Sequence, residues 1–72
     1  MIYYEAMKAI RKSKNLSQNR LSKETNISTQ NISRWERGEV IPTITMCIKL
    51  ADYYGITLDE LVGRDPASKT QN

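Results

Sequence analysis

Histidine is absent from this 72-residue chain, and cysteine occurs once, at Cys47. Without histidine or a cysteine pair, no metal site is expected. A single cysteine also rules out an internal disulfide. It fits a reducing compartment, so the expected location is cytoplasmic. No apolar run exceeds a few residues, far short of the about 20 that a membrane span needs. The opening residues, Met1 to Glu5, have neither the basic start nor the apolar stretch of a signal peptide. Repeats, low-complexity tracts and internal linkers are missing too. So are a glycine-rich phosphate loop and a nucleophile–base pair, and catalysis is not expected. No cofactor and no small-molecule ligand are implied. One small domain remains, which at this length buries only about 60% of its extended surface.

Charge is present, and it is unevenly placed. The net charge is +3. Residues 1–38 carry eight Lys/Arg against Glu5, Glu24 and Glu36, a balance of +5. Residues 39–72 carry three against five Asp/Glu, a balance of −2. A basic half joined to an acidic half suggests one side that faces a polyanion and another that faces solvent or a partner.

Helix start signals recur along the chain. Ser17 stands between Leu16 and Leu21, Ser28 between Ile27 and Ile32, and Thr57 between Ile56 and Leu61. Each is an N-cap with the flanking apolar pair of a hydrophobic staple. Thr57 also has Glu60 three residues on, which completes a capping box. Thr43, after Pro42, is a fourth cap. Asn15, Asn26, Gly38 and Gly55 supply the stops, because Gly and Asn tolerate the left-handed conformation of helix ends. The spacing predicts helices over 2–14, 17–25, 28–37, 43–54 and 57–62. Residues 63–72 lack apolar periodicity and read as a flexible C-terminal tail. The expected core draws on Tyr3, Ala6, Met7, Ile10, Leu16, Leu21, Thr25, Ile32 and Trp35. Ile44, Cys47, Ile48, Leu50, Ala51, Tyr54, Leu58, Leu61 and Val62 complete it.

The second and third helices are short and joined through Thr25-Asn26-Ile27-Ser28, the connection of a helix-turn-helix. Ser22 is small where the two must cross. The outer face of the third helix offers Thr29, Gln30, Asn31, Ser33 and Arg34, all polar and none acidic. In a DNA major groove, Gln or Asn pairs with adenine, Arg with guanine, and a Thr methyl touches thymine. An ordinary solvated face would mix Glu with Lys instead.

These residues resemble a known family. Leu16-Ser-Gln-Asn-Arg-Leu-Ser22, Asn26-Ile-Ser28, Ile32-Ser-Arg-Trp-Glu-Arg-Gly38, Pro42-Thr, Leu50-Ala and Gly55-Ile-Thr-Leu-Asp-Glu-Leu61 together look like the phage-repressor/Cro type of helix-turn-helix, the XRE family. The resemblance runs from about Tyr3 to Val62. It departs at Asn15 and Asn26, where glycine is common, and at Cys47, where a larger aliphatic is usual.

The resemblance implies an all-α fold: a compact five-helix lambda-repressor-like DNA-binding domain over residues 1–62. It implies that Thr29, Gln30 and Arg34 reach base edges. Gln18, Ser28, Asn31, Ser33 and Arg37 would hold phosphate or line the groove wall. Arg11 and Glu36 would form an ion pair joining the first helix to the end of the third. The implied function is sequence-specific regulation of transcription on double-stranded DNA. Repression is expected, because a compact domain blocks polymerase without further contacts. A homodimer on half-sites about one helical turn apart is expected, meeting around helix 5 through Leu58, Val62 and Tyr53. The alternative is an antitoxin-like or other protein-interaction subunit whose helix-turn-helix mainly autoregulates. Only about ten residues follow helix 5, little for wrapping a toxin.

Overall fold

Hydroxyl groups open four of the five helices. The computed structural model describes residues 2–64. In it α1 runs Tyr3–Ser13, α2 Gln18–Thr25, α3 Thr29–Glu36, α4 Ile44–Tyr54 and α5 Leu58–Leu61. Ser17 Oγ accepts from the Arg20 N–H at 3.0 Å, Ser28 Oγ from Asn31 at 3.1 Å and Thr43 Oγ1 from Met46 at 3.3 Å. Thr57 Oγ1 accepts from the Glu60 N–H at 3.1 Å, while Glu60 Oε1 accepts from the Thr57 N–H at 2.9 Å. That is the capping box. Each cap satisfies an amide that the first helical turn leaves unpaired.

The helix ends use the left-handed residues read from the sequence. Asn15 and Asn26 have φ of 58° and 63°, and Gly38 and Gly55 have 75° and 71°. Past α1, the Leu16 N–H reaches back to Arg11 O at 3.2 Å; past α3, Glu39 reaches Arg34 O at 3.0 Å. Past α4, Ile56 reaches Ala51 O at 3.0 Å. These are Schellman closures. α5 ends the same way, with Arg64 N–H on Asp59 O at 2.8 Å, so Gly63 and Arg64 complete a helix end. The rest of the expected tail, residues 65–72, lies outside the described residues. α2 ends on a single bond, Asn26 N–H to Ser22 O at 2.8 Å, and Ser28 caps the next helix two residues later. This tight turn sets α2 across α3.

Met7, Leu21, Ile27, Ile32, Trp35, Cys47, Leu50, Ala51 and Leu61 form one core. Tyr3, Ile10, Leu16, Met46, Tyr54 and Ile56 pack against its edge. α1 packs on α3 and α5, and α4 on α2 and α5. Among the described residues there is no strand. Three residues expected inside are exposed: Ile44 at 64%, Ile48 at 46% and Leu58 at 38%. On α4 the buried row is Cys47, Leu50 and Ala51, with Tyr54 half-buried. Ile44 and Ile48, one turn apart, lie on a neighbouring row beyond the reach of the core. α5 is a single turn and buries only Leu61.

The loop after α3 is tied back to the start of α1. The Tyr3 hydroxyl donates to Val40 O at 3.2 Å. Tyr4 meets Tyr3 edge-on, with ring centroids 5.5 Å apart, and lies against Gly38. A Cβ on Gly38 would stand 2.7 Å from Tyr4 Cδ2. Gly38 is therefore required twice, by its positive φ and by this contact. Gly55 shares the positive φ but has nothing within 4 Å of an added Cβ. Gly55→Ala is expected to cost about 1 kcal/mol, the left-handed penalty alone. Gly38→Ala should cost about 2 kcal/mol or more, since the ring must also move. Urea unfolding of both variants checks this; equal losses would mean that Tyr4 yields freely.

Candidate nucleic-acid interface

A buried ion pair lies behind the outer face of α3. Arg11 Nε donates to Glu36 Oε2 at 2.8 Å and Nη2 donates to Oε1 at 3.0 Å. The two side chains are only 8% and 4% exposed. Nη1 donates to Leu16 O at 2.6 Å, which fastens the loop before α2. Glu36 Oε1 also accepts from Gln18 Nε2 at 3.1 Å. One carboxylate thus joins α1, the end of α3 and the start of α2. The hydrogen bonds to Glu36 raise the Arg11 pKa above its ordinary value, against the opposing effect of burial. The Tyr54 hydroxyl lies within the field of this pair. Burial pushes its pKa up to about 12, reinforced by Glu36 and opposed by Arg11. Among the described residues that hydroxyl has no hydrogen-bond partner.

In front of the pair lies an open cleft of about 440 Å³, lined by Gln18, Asn19, Thr29, Gln30, Ser33, Arg34 and Arg37. None of these is acidic, and all are polar. Those on α3 and its C-cap recur at 29, 30, 33, 34 and 37, the spacing of one helix face. The opposite face carries buried Ile32, Trp35 and Glu36. Trp35, at 4% exposure, is core and not a stacking platform.

Of the residues singled out in sequence, six meet in this cleft: Gln18, Thr29, Gln30, Ser33, Arg34 and Arg37. Ser28 and Asn31 are exposed but stand outside it. Ser28 Oγ is occupied in capping α3. Asn19 was missed, although it is a second uncharged amide in the first turn of α2. Glu39 was missed as well. Its carboxylate takes Arg37 Nε at 2.6 Å and Nη2 at 3.1 Å, while Arg37 Nη1 donates to Ser33 Oγ. The pairing raises the Arg37 pKa and lowers that of Glu39.

Among the described residues no group of His, Cys, Asp or Glu is placed to hold a metal ion. No described helix is long and apolar enough to cross a membrane.

The helix-turn-helix family pattern matches residues 7–61. The chain belongs to the XRE-type helix-turn-helix family. It is 36% identical over 61 residues to the cryptic phage CTXphi transcriptional repressor RstR of Vibrio cholerae serotype O1, covering 85% of this chain and 54% of that protein. It is 31% identical over 62 residues to the HTH-type transcriptional activator BcrR of Enterococcus faecalis, covering 86% of this chain and 30% of that protein. The crystal structure of a transcriptional regulator from Listeria innocua superposes with a TM-score of 0.76 at 28% identity, covering 88% of this chain and 59% of that one. The chain spans between about a third and three fifths of the length of these relatives. The match to the Listeria structure supports the five-helix fold expected from sequence.

Two outcomes follow from the buried pair. Glu36→Gln should cost about 3 kcal/mol or more, because it leaves the Arg11 guanidinium buried without its counter-charge. The Arg11→Met/Glu36→Leu double variant should lose less than Glu36→Gln alone; a larger loss would refute the charge argument. Tyr54 gives a pH dependence. Its folded pKa is raised above the ordinary 10.0, so its contribution is intact below pH 10. Stability falls as pH rises from there toward 12, because the unfolded chain ionises first. Tyr54→Phe should match or exceed the parent at neutral pH and lose less stability at about pH 11. Urea melts at the two pH values check both statements.

Proposed function

We propose that this chain is a sequence-specific regulator of transcription that binds double-stranded DNA and reads the major groove with α3. The observation that carries the reading is the cleft, where seven polar, non-acidic side chains from two helices face outward from a buried ionic anchor. Thr29, Gln30 and Arg34 take the base edges. Gln, Arg and Thr are the residue types suited to adenine, guanine and the thymine methyl. Gln18, Ser33 and Arg37 hold phosphates or the groove wall beside them, with Asn19 added to that set. Ser28 and Asn31 serve the wall from outside the cleft. Gln18 keeps one amide N–H on Glu36, so its second N–H is presented from a fixed position.

The protein acts in the cytoplasm as a homodimer and as a repressor. The name of RstR as a repressor supports the sign, since RstR matches at the higher identity and over a larger share of its own length than BcrR. One recognition helix spans too few base pairs for useful specificity, and paired half-sites solve this. Leu58 and Tyr53, exposed at 38% and 39%, are available for the dimer contact beside half-buried Val62.

Selection of bound duplexes from a random library, at about 50 and about 200 mM salt, tests the reading. The expected product is a pair of half-sites about one helical turn apart. Gln30→Ala should weaken binding to the selected site about tenfold and leave a scrambled duplex unaffected. Equal loss on both would exclude base readout by Gln30.

A further inference from the structure

Arg37 is the last cation in the chain before Lys49. From Gly38 to Ile48 the chain contains no Lys or Arg. The loop that follows α3 instead places Glu39 against Arg37. The guanidinium is a planar fork of five N–H donors. Glu39 holds the Nε and Nη2 donors with its two oxygens, and Ser33 holds one donor of Nη1. Two donors remain, one on each Nη, and the Nη2 donor lies at the end of the fork because its Nε-side neighbour is taken by Glu39. That edge can grip a second anion. Arg37 and Ser33 both line the cleft, so the Arg37 head group belongs to the interface.

Resting on the DNA-binding reading above, we propose that Glu39 is a specificity-determining residue that acts through Arg37. It cancels the charge of Arg37 at long range and fixes the guanidinium plane. Arg37 then adds to binding only where a phosphate meets the end of the fork. Loose, sequence-independent complexes depend on unpaired cations that attract DNA from any direction. A neutral Arg–Glu pair offers them little beyond a screening length of about 8 Å. A docked complex brings a phosphate onto the free edge while Glu39 keeps the other, so the guanidinium bridges two anions. The carboxylate therefore weakens the wrong complexes more than the right one, a specificity achieved by discouraging competitors.

The arrangement does not depend on the fold. The Glu39 side chain is half-exposed, and its backbone N–H closes α3 whatever the side chain. E39Q keeps the shape and one acceptor but removes the charge. Binding of wild type and E39Q to the selected duplex and to a scrambled duplex of equal length, over a salt series, is the test. E39Q should tighten binding to the scrambled duplex about fivefold at about 150 mM salt and steepen its salt dependence by about one ion. Binding to the selected duplex should change less than about twofold, so the ratio between the two falls. In an R37Q background the E39Q effect should vanish. Three results would overturn the proposal: no change on the scrambled duplex, equal tightening on both duplexes, or a full E39Q effect without Arg37. A wild-type protein that retains neither duplex would overturn the DNA-binding reading itself, a result distinct from these three.

Discussion

The Arg11–Glu36 pair is the constraint on which the rest of this small domain depends. Burying two charges is costly, and the cost is offset only when geometry is good and every remaining donor finds a partner. Here the contact is bidentate, the third guanidinium nitrogen reaches Leu16 O, and the carboxylate takes Gln18 as well. Each of these partners lies on a different segment. The pair consequently fixes the relative placement of α1, α2 and α3 more sharply than apolar packing would. Aliphatic contacts are non-directional and tolerate small slides; a forked hydrogen-bond pair does not. Arg11 and Glu36 sit behind the cleft, so what they hold still is the surface in front of them.

The ends of the helices supply a second layer of definition, and it is local. Four hydroxyl caps set where α2 to α5 begin, and five left-handed residues set where the five helices stop. Once Ser28 and Gly38 are placed, the register of α3 is decided. Residues 29, 30, 33, 34 and 37 then share one face without further instruction. Tyr3 and Tyr4 carry this order into the loop beyond, since that loop passes directly over them.

That division explains what could be read from the chain alone. Caps, stops and the α3 face depend on residues within about four positions of one another, so their spacing was visible in the sequence. Contacts between distant residues were not. Tyr4 against Gly38 and Gln18 on Glu36 join positions far apart in the chain, and no local pattern announces either. The Arg11–Glu36 contact is equally distant and was anticipated only through family resemblance. Ile44, Ile48 and Leu58 show the limit from the other direction. Their apolar character suited a buried stripe, but α5 is too short to cover a second row on α4. Glu39 escaped notice because an acid in a loop is unremarkable until its partner is seen to be Arg37.

α3 separates two duties by face. Ile32, Trp35 and Glu36 hold the helix in place, and the outward residues contribute little to that attachment. Positions 29, 30 and 34 can therefore be exchanged with small effect on the scaffold. On the DNA-binding reading proposed above, changes at those few codons would alter the target site and leave the buried half of the same helix, and with it the fold, intact. One turn of geometry thus divides attachment and exposure between neighbouring residues of the chain, because they point in opposite directions.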